Sequence, residues 1–126
     1  MMMYLSIAIG GALGATARYG VGTLAIRFLG YGYPYGTFIV NILGSFLMGL
    51  LIETMALKWS PPPEIRSLLV TGFLGAFTTF STFSLDVALQ VEKGAYVLAG
   101  GYIALSVILS ILGLFAGLYL IRVVFT

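Results

Sequence analysis

The chain has neither cysteine nor histidine among its 126 residues, and only 8% of them are charged. Without thiols there are no disulfides and no thiol nucleophiles; without imidazoles, the commonest general base and zinc ligand are gone. Soluble domains carry about 25% charged residues. The low charge, 60% hydrophobic residues and a mean hydropathy of +1.11 predict a membrane protein with little outside the bilayer. A net charge of +2 argues against a nucleic-acid partner. There is no Walker lysine, no H-E-x-x-H and no G-x-S-x-G, so the chain does not read as an enzyme. The first residues lack a basic n-region and a small-residue cleavage site before Arg18, and read as the start of a span rather than a removable leader.

What is present is four hydrophobic runs cut by charges and prolines, at residues 1–26, 28–52, 67–85 and 94–121. About 20 apolar residues cross a bilayer, so each run is expected to cross once. The runs are solid rather than alternating, which predicts helices and not barrel strands. The expectation is one all-α transmembrane domain over 1–126, with spans near 2–28, 34–57, 64–91 and 95–123. Both termini then lie on one side. Lys58, Arg66 and Arg122 fall at one face of the membrane, and Arg27, Lys93 and Arg18 at the other. The positive-inside rule has no clear excess to act on. Either a weak bias fixes one orientation, or the chain inserts both ways and pairs antiparallel.

Several stripes carry polar groups. Gly10, Gly14, Arg18 and Gly22 share a face of the first run, and the first two form a G-x-x-x-G pair that allows close helix approach. Arg18 is either an anion-attracting group at the mouth of a polar pathway, or a residue that snorkels or pairs with a carbonyl. Thr37, Asn41, Gly44, Ser45 and Met48 share a face of the second run. The Asn41 amide can serve an anion or glue two helices together. Tyr102, Ser106, Ser110, Gly113 and Gly117 line the fourth run, as a helix contact or as a polar track.

The third run is the unusual one. Residues 71–86 read T-G-F-L-G-A-F-T-T-F-S-T-F-S-L-D, alternating hydroxyls with phenylalanines. Phe80 and Phe83 lie three apart on one face. Ring edges are positive and attract a small anion weakly. Gly72, Gly75 and two β-branched threonines are poor for helix continuity. A break near Gly75 to Thr78 would free carbonyls that must find partners, a cation among them; hydroxyl back-bonding would close the helix instead. The acids Glu53, Glu64, Asp86 and Glu92 sit towards run ends. That weakens the competing reading, a dual-topology proton-coupled exporter of small molecules, which is expected to keep a carboxylate deep in a span.

Three segments together resemble the small four-helix fluoride channels of microorganisms, the Fluc or CrcB family. They are G-x-x-x-G-A-x-x-R-Y from Gly10, Y-P-Y-G-T-x-x-V-N-x-x-G-S-F from Tyr33, and T-G-F-L-G-A-F-T-T-F-S-T-F-S from Thr71. The resemblance covers essentially the whole chain, with the fourth helix matched more loosely. It implies a dual-topology antiparallel homodimer in the bacterial inner membrane, passively exporting cytoplasmic fluoride through two pores. It implies that Phe80 and Phe83 form an aromatic box and that Asn41 donates to fluoride. Ser81 and Thr82 would belong to a hydroxyl track, with Tyr102, Ser106 and Ser110 on its fourth-helix side. Arg18 would lie at a vestibule. Gly75 and Thr78 would lend backbone carbonyls to a structural sodium ion at the dimer centre.

Overall fold

A computed structural model describes all residues, Met1–Thr126. It is all helix, with no strand. Helix α1 (Met2–Leu29) ends at Gly30, whose φ of 86° is a left-handed value that glycine tolerates. A short aromatic turn leads through Pro34 into α2 (Tyr35–Leu57). Proline begins the next element as well: α3 (Pro63–Ser67) starts where a missing N–H costs nothing. From there the third helix widens into a π-helical stretch, Leu68–Leu74, and tightens into the single turn α4 (Gly75–Phe77). After a gap come α5 (Phe80–Glu92), a turn at Gly94 and α6 (Tyr96–Phe125).

Three helical segments are long and apolar enough to cross a membrane: Tyr35–Leu57, Pro63–Glu92 and Tyr96–Phe125. Helix α1 equals them in length but not in apolarity, because Thr16, Arg18, Tyr19 and Thr23 interrupt it. Only 17 of 126 residues are buried, so most apolar side chains face outward, as in a protein whose solvent is lipid. Helix α6 is the extreme case, with Ile103, Ile108, Ile111, Leu112 and Phe115 all exposed.

The break in the third helix lies at Thr78 and Thr79, which are extended (φ −86°, ψ 159° and φ −154°, ψ 122°). This falls at the end of the expected segment. Gly75 stays helical (φ −62°, ψ −36°). Hydroxyls, not glycines, decide the position. The Thr78 hydroxyl donates back to the Leu74 carbonyl at 2.9 Å and closes the first half. The Thr79 hydroxyl accepts from the Thr82 N–H at 3.1 Å and caps the start of α5.

Glycines act elsewhere, in packing. A Cβ on Gly10 would run into the Leu68 carbonyl, and one on Gly14 into the Phe73 carbonyl. Gly72 faces back, within 3.0 Å of the Gly10 Cα for any added Cβ. Helix α1 therefore lies backbone to backbone on the π-helical stretch. Gly49 and Gly117 do the same for α2 against α6. In lipid no hydrophobic force joins two helices, so this close dispersion contact is what holds each pair. An ion pair between Arg122 and Glu53 (3.0 Å) ties the end of α6 to α2.

The expected outcome of Gly14→Leu is loss of the α1 contact, with the folded state destabilised by about 1–3 kcal/mol or more. Gly20→Ala should be neutral or mildly stabilising, since a Cβ there meets nothing. Thermal unfolding of both variants in detergent, followed by size-exclusion chromatography, checks the pair.

Candidate functional site

The break is held by α2. Asn41 donates from Nδ2 to the Thr79 carbonyl at 3.0 Å and accepts from the Thr79 N–H at 2.8 Å. Its amide thus pairs with both backbone groups of one extended residue. One turn on, Gly44 leaves room for the Thr78 methyl, which would collide with any Cβ there. Helix α1 holds the other flank: Arg18 Nε donates to the Ala76 carbonyl at 3.1 Å. A cation at the C-terminal end of a helical segment is also well placed against the helix dipole.

Between the break, α2 and α6 lies a groove of about 440 Å³. It brings together Asn41, Phe80, Phe83, Ser106 and Ser110, with Thr78 at its edge. No charged side chain lines it. The two phenylalanine rings lie 5.6 Å apart, inclined at 45°. They differ in setting: Phe83 is 8% exposed, whereas Phe80 is 77% exposed and projects from the chain. Ser106 is buried, and its hydroxyl has no protein partner although it borders the groove. A buried hydroxyl left that way costs about 1–3 kcal/mol, so the groove is expected to hold water or a ligand that meets it. Asn41 keeps one free amide N–H after its two bonds to Thr79.

The other sequence-derived residues lie apart from this groove. Arg18 and Thr82 border a second hollow of about 470 Å³, together with Tyr19, Gly22 and Thr37. Ser81 is exposed, its hydroxyl 3.3 Å from that of Thr79, and lines neither hollow. Tyr102 is fully buried behind Phe83, ring to ring at 5.1 Å. Its hydroxyl donates to Asp86 at 2.9 Å. Asp86 therefore sits within α5 against a buried tyrosine, deeper in the structure than its place near a run end suggested. Tyr33, in the turn before α2, also packs on Tyr102 at 5.4 Å. Burial, and then the nearby Tyr35, raise its phenol above the ordinary value of 10.0, so it is neutral at any physiological pH.

Gly75 and Thr78 have carbonyls that the break sets free. In a continuous helix they would receive the N–H groups of Thr79 and Thr82. The first goes to Asn41 and the second to the Thr79 hydroxyl. Two backbone oxygens, three residues apart in sequence, thus lack their helical donors, and carbonyl oxygens are ligands of the kind a hard cation takes.

Residues 5–118 match the family model for CrcB-like protein, Camphor Resistance (CrcB). The chain belongs to the CrcB family. Its CrcB relatives align end to end. One from Rhodospirillum centenum is 55% identical over 122 residues, covering 97% of each chain. One from Caulobacter sp. (strain K31) is 51% identical over 127 residues, covering 100% of this chain and 99% of its own. A third, from Rhizobium etli, is 48% identical over 122 residues. Each is named a fluoride-specific ion channel, FluC, a class of transporter and not of enzyme. With that family and three apolar spans, this is a multi-pass membrane protein.

Thr37 and Asp86 are the site residues that sequence reasoning left without a role. Thr37 was visible only as one more hydroxyl on the Asn41 face. Nothing in one sequence pairs Asp86 with Tyr102.

Asn41→Ala removes both bonds to Thr79 and leaves its N–H and carbonyl without partners. The expected loss is about 1–3 kcal/mol for each orphaned group. Ser45→Ala on the same helix breaks no hydrogen bond within the chain and should stay within about 0.5 kcal/mol. Denaturation midpoints of the two purified variants decide it.

Proposed function

We propose that this chain is a passive, fluoride-selective channel, a dual-topology homodimer in the bacterial inner membrane that exports cytoplasmic fluoride through two antiparallel pores. The observation that carries the reading is the uncharged groove beside the helix break, whose walls offer hydroxyls, one amide N–H and two phenylalanine rings. Fluoride is small and strongly hydrated. A pore must replace its water with donors, yet release the ion afterwards. Hydroxyls and ring edges meet both demands, whereas a guanidinium in the narrow part would trap the ion. The names of the relatives support fluoride as the ion.

In this reading Asn41 offers its spare N–H, Ser106 its unpartnered hydroxyl, and Ser110 continues the track along α6. Phe83 forms a fixed wall and Phe80 reaches out to the partner's pathway, which accounts for a ring left so exposed. Tyr102 and Asp86 back the Phe83 ring. Ser81 and Thr82 serve the approach, and Arg18 draws anions into the second hollow while it holds Ala76. Helix α1 crosses with the other three, shielded by its glycine contact with the third helix. The near-even distribution of basic residues between the two ends fits insertion in both orientations.

Antiparallel pairing supports a shared cation between the subunits. Gly75 and Thr78 would hold a sodium ion through their backbone carbonyls, and it would supply positive charge that offsets the cost of an anion in a low dielectric.

A dual-topology, proton-coupled exporter is the second reading, and one observation favours it: Asp86 lies inside α5 against a buried tyrosine, where a carried proton needs a carboxylate. Purified protein in liposomes separates the two. The channel predicts fluoride efflux driven by the fluoride gradient alone, with chloride retained, and unchanged by a protonophore. Efflux that requires a pH gradient assigns the work to Asp86 instead. Replacing Phe80 and Phe83 together with leucine should cut the flux while the dimer survives. Exchanging sodium for a large organic cation should weaken the dimer, as read from cross-linking yield, without unfolding the monomer.

A further inference from the structure

One line of contacts runs from the membrane surface to the phenylalanine pair. Tyr33 lies in the turn between α1 and α2, outside the spanning segments. The turn is stiff: Pro34 follows, and the Tyr35 N–H donates back to the Tyr33 carbonyl at 2.8 Å. The Tyr33 ring meets Tyr102 edge to face, at 5.4 Å and 86°. It meets Phe38 in the same way, at 5.7 Å and 78°, and Tyr35 at 5.1 Å. Tyr102 has no exposed surface. Beyond Tyr102 the contact passes to Phe83 at 5.1 Å, and from Phe83 to Phe80 at 5.6 Å.

Tyr102 is therefore clamped on several sides. Asp86 and, from α2, Thr37 hold its hydroxyl, Phe83 lies against its ring, and Tyr33 with Phe38 closes the remaining flank. Asp86 and Phe83 both belong to α5, so neither can fix Tyr102 independently of that helix. Phe38 meets it at a longer distance, 6.3 Å, and a shallow angle. Tyr33 is the edge-to-face contact that comes from outside α5, and edge-to-face pairs are geometrically selective. Take that ring away and the Tyr102 ring gains room to tilt, which removes the backing of Phe83.

We infer that Tyr33 is a positioning residue for the Phe80–Phe83 pair, acting through the Tyr102 ring from the surface turn. This rests on the fluoride-channel reading, and it assigns Tyr33 more than the interfacial anchoring common to membrane-surface tyrosines. The work is done by the ring and not by the phenol, whose hydroxyl makes no hydrogen bond to another side chain or to the backbone. Tyr33→Phe should therefore behave as the unchanged protein, and Tyr33→Ala should not.

Two readouts on the full dimer test this. The first is fluoride efflux from liposomes. Tyr33→Ala, and Tyr33→Leu should the alanine variant fail to fold, is expected to lose about two- to twelvefold in rate, the range that one edge-to-face contact commands. Tyr33→Phe is expected to retain the rate. The second is fluorine NMR of protein carrying para-fluorophenylalanine at Phe83. One narrow resonance is expected with Tyr33 or with Tyr33→Phe, and a shifted or broadened one with Tyr33→Ala or Tyr33→Leu. A surface anchor would leave that resonance in place. The inference is overturned if the resonance is unchanged in Tyr33→Leu, or if Tyr33→Phe loses as much flux as the other variants. If the unsubstituted protein carries no fluoride, the channel reading fails, while the resonance still judges the role of Tyr33.

Discussion

Two hydrogen bonds between the Asn41 amide and the backbone of Thr79 carry the rest of the structure. In lipid, each backbone N–H and carbonyl without a partner costs several kcal/mol, so a helix cannot simply stop in mid-membrane. Here it stops for two residues, and neighbouring side chains meet several of the exposed groups. Asn41 takes both backbone groups of Thr79, the Thr79 hydroxyl takes the Thr82 N–H, and Arg18 takes the Ala76 carbonyl. The carbonyls of Gly75 and Thr78 are among the groups left without their helical donors.

That solution demands close approach from both sides. Helix α1 reaches Ala76 with Arg18 because Gly10 and Gly14 let it rest on the backbone of the π-helical stretch. Helix α2 reaches Thr79 because Gly44, one turn from Asn41, makes space for Thr78. Close packing in lipid and polar satisfaction are thus one constraint here: small residues bring the helices near enough for short polar side chains to cap a broken neighbour. The groove follows as a consequence. Once the third helix turns aside at Thr78, Phe80 and Phe83 swing onto a face that a continuous helix would have oriented differently, and the hydroxyls of α6 come to border the same space.

The helical runs, the turns around Pro34 and Gly94 and the close-contact role of Gly10 and Gly14 were legible in the sequence, because each depends on local propensity or on spacing along one helix. Asn41 was legible as an amide that either serves an anion or joins two helices, and in the fold it joins α2 to the break. Its partner was not, because Thr79 lies 38 positions away. The break falls slightly later than the glycines suggest, for a related reason. Glycine signals weakness in a helix, yet Gly75 remains helical and the threonines, through their own hydroxyl bonds, fix where the chain turns. The pairing of Tyr102 with Asp86, and the division of the expected polar track between two hollows, depend on how α5 rotates after the break, which periodicity along one segment does not encode.

The central claim is that this arrangement passes fluoride down its own gradient. It is tested most directly by the reversal potential of purified protein in a planar bilayer, with fluoride unequal across the membrane and pH and chloride matched. The account predicts a reversal potential that shifts by about 59 mV for each tenfold fluoride ratio, the value for a singly charged ion. A reversal potential that stays at zero as the fluoride ratio changes, or that follows an imposed pH difference instead, would contradict it.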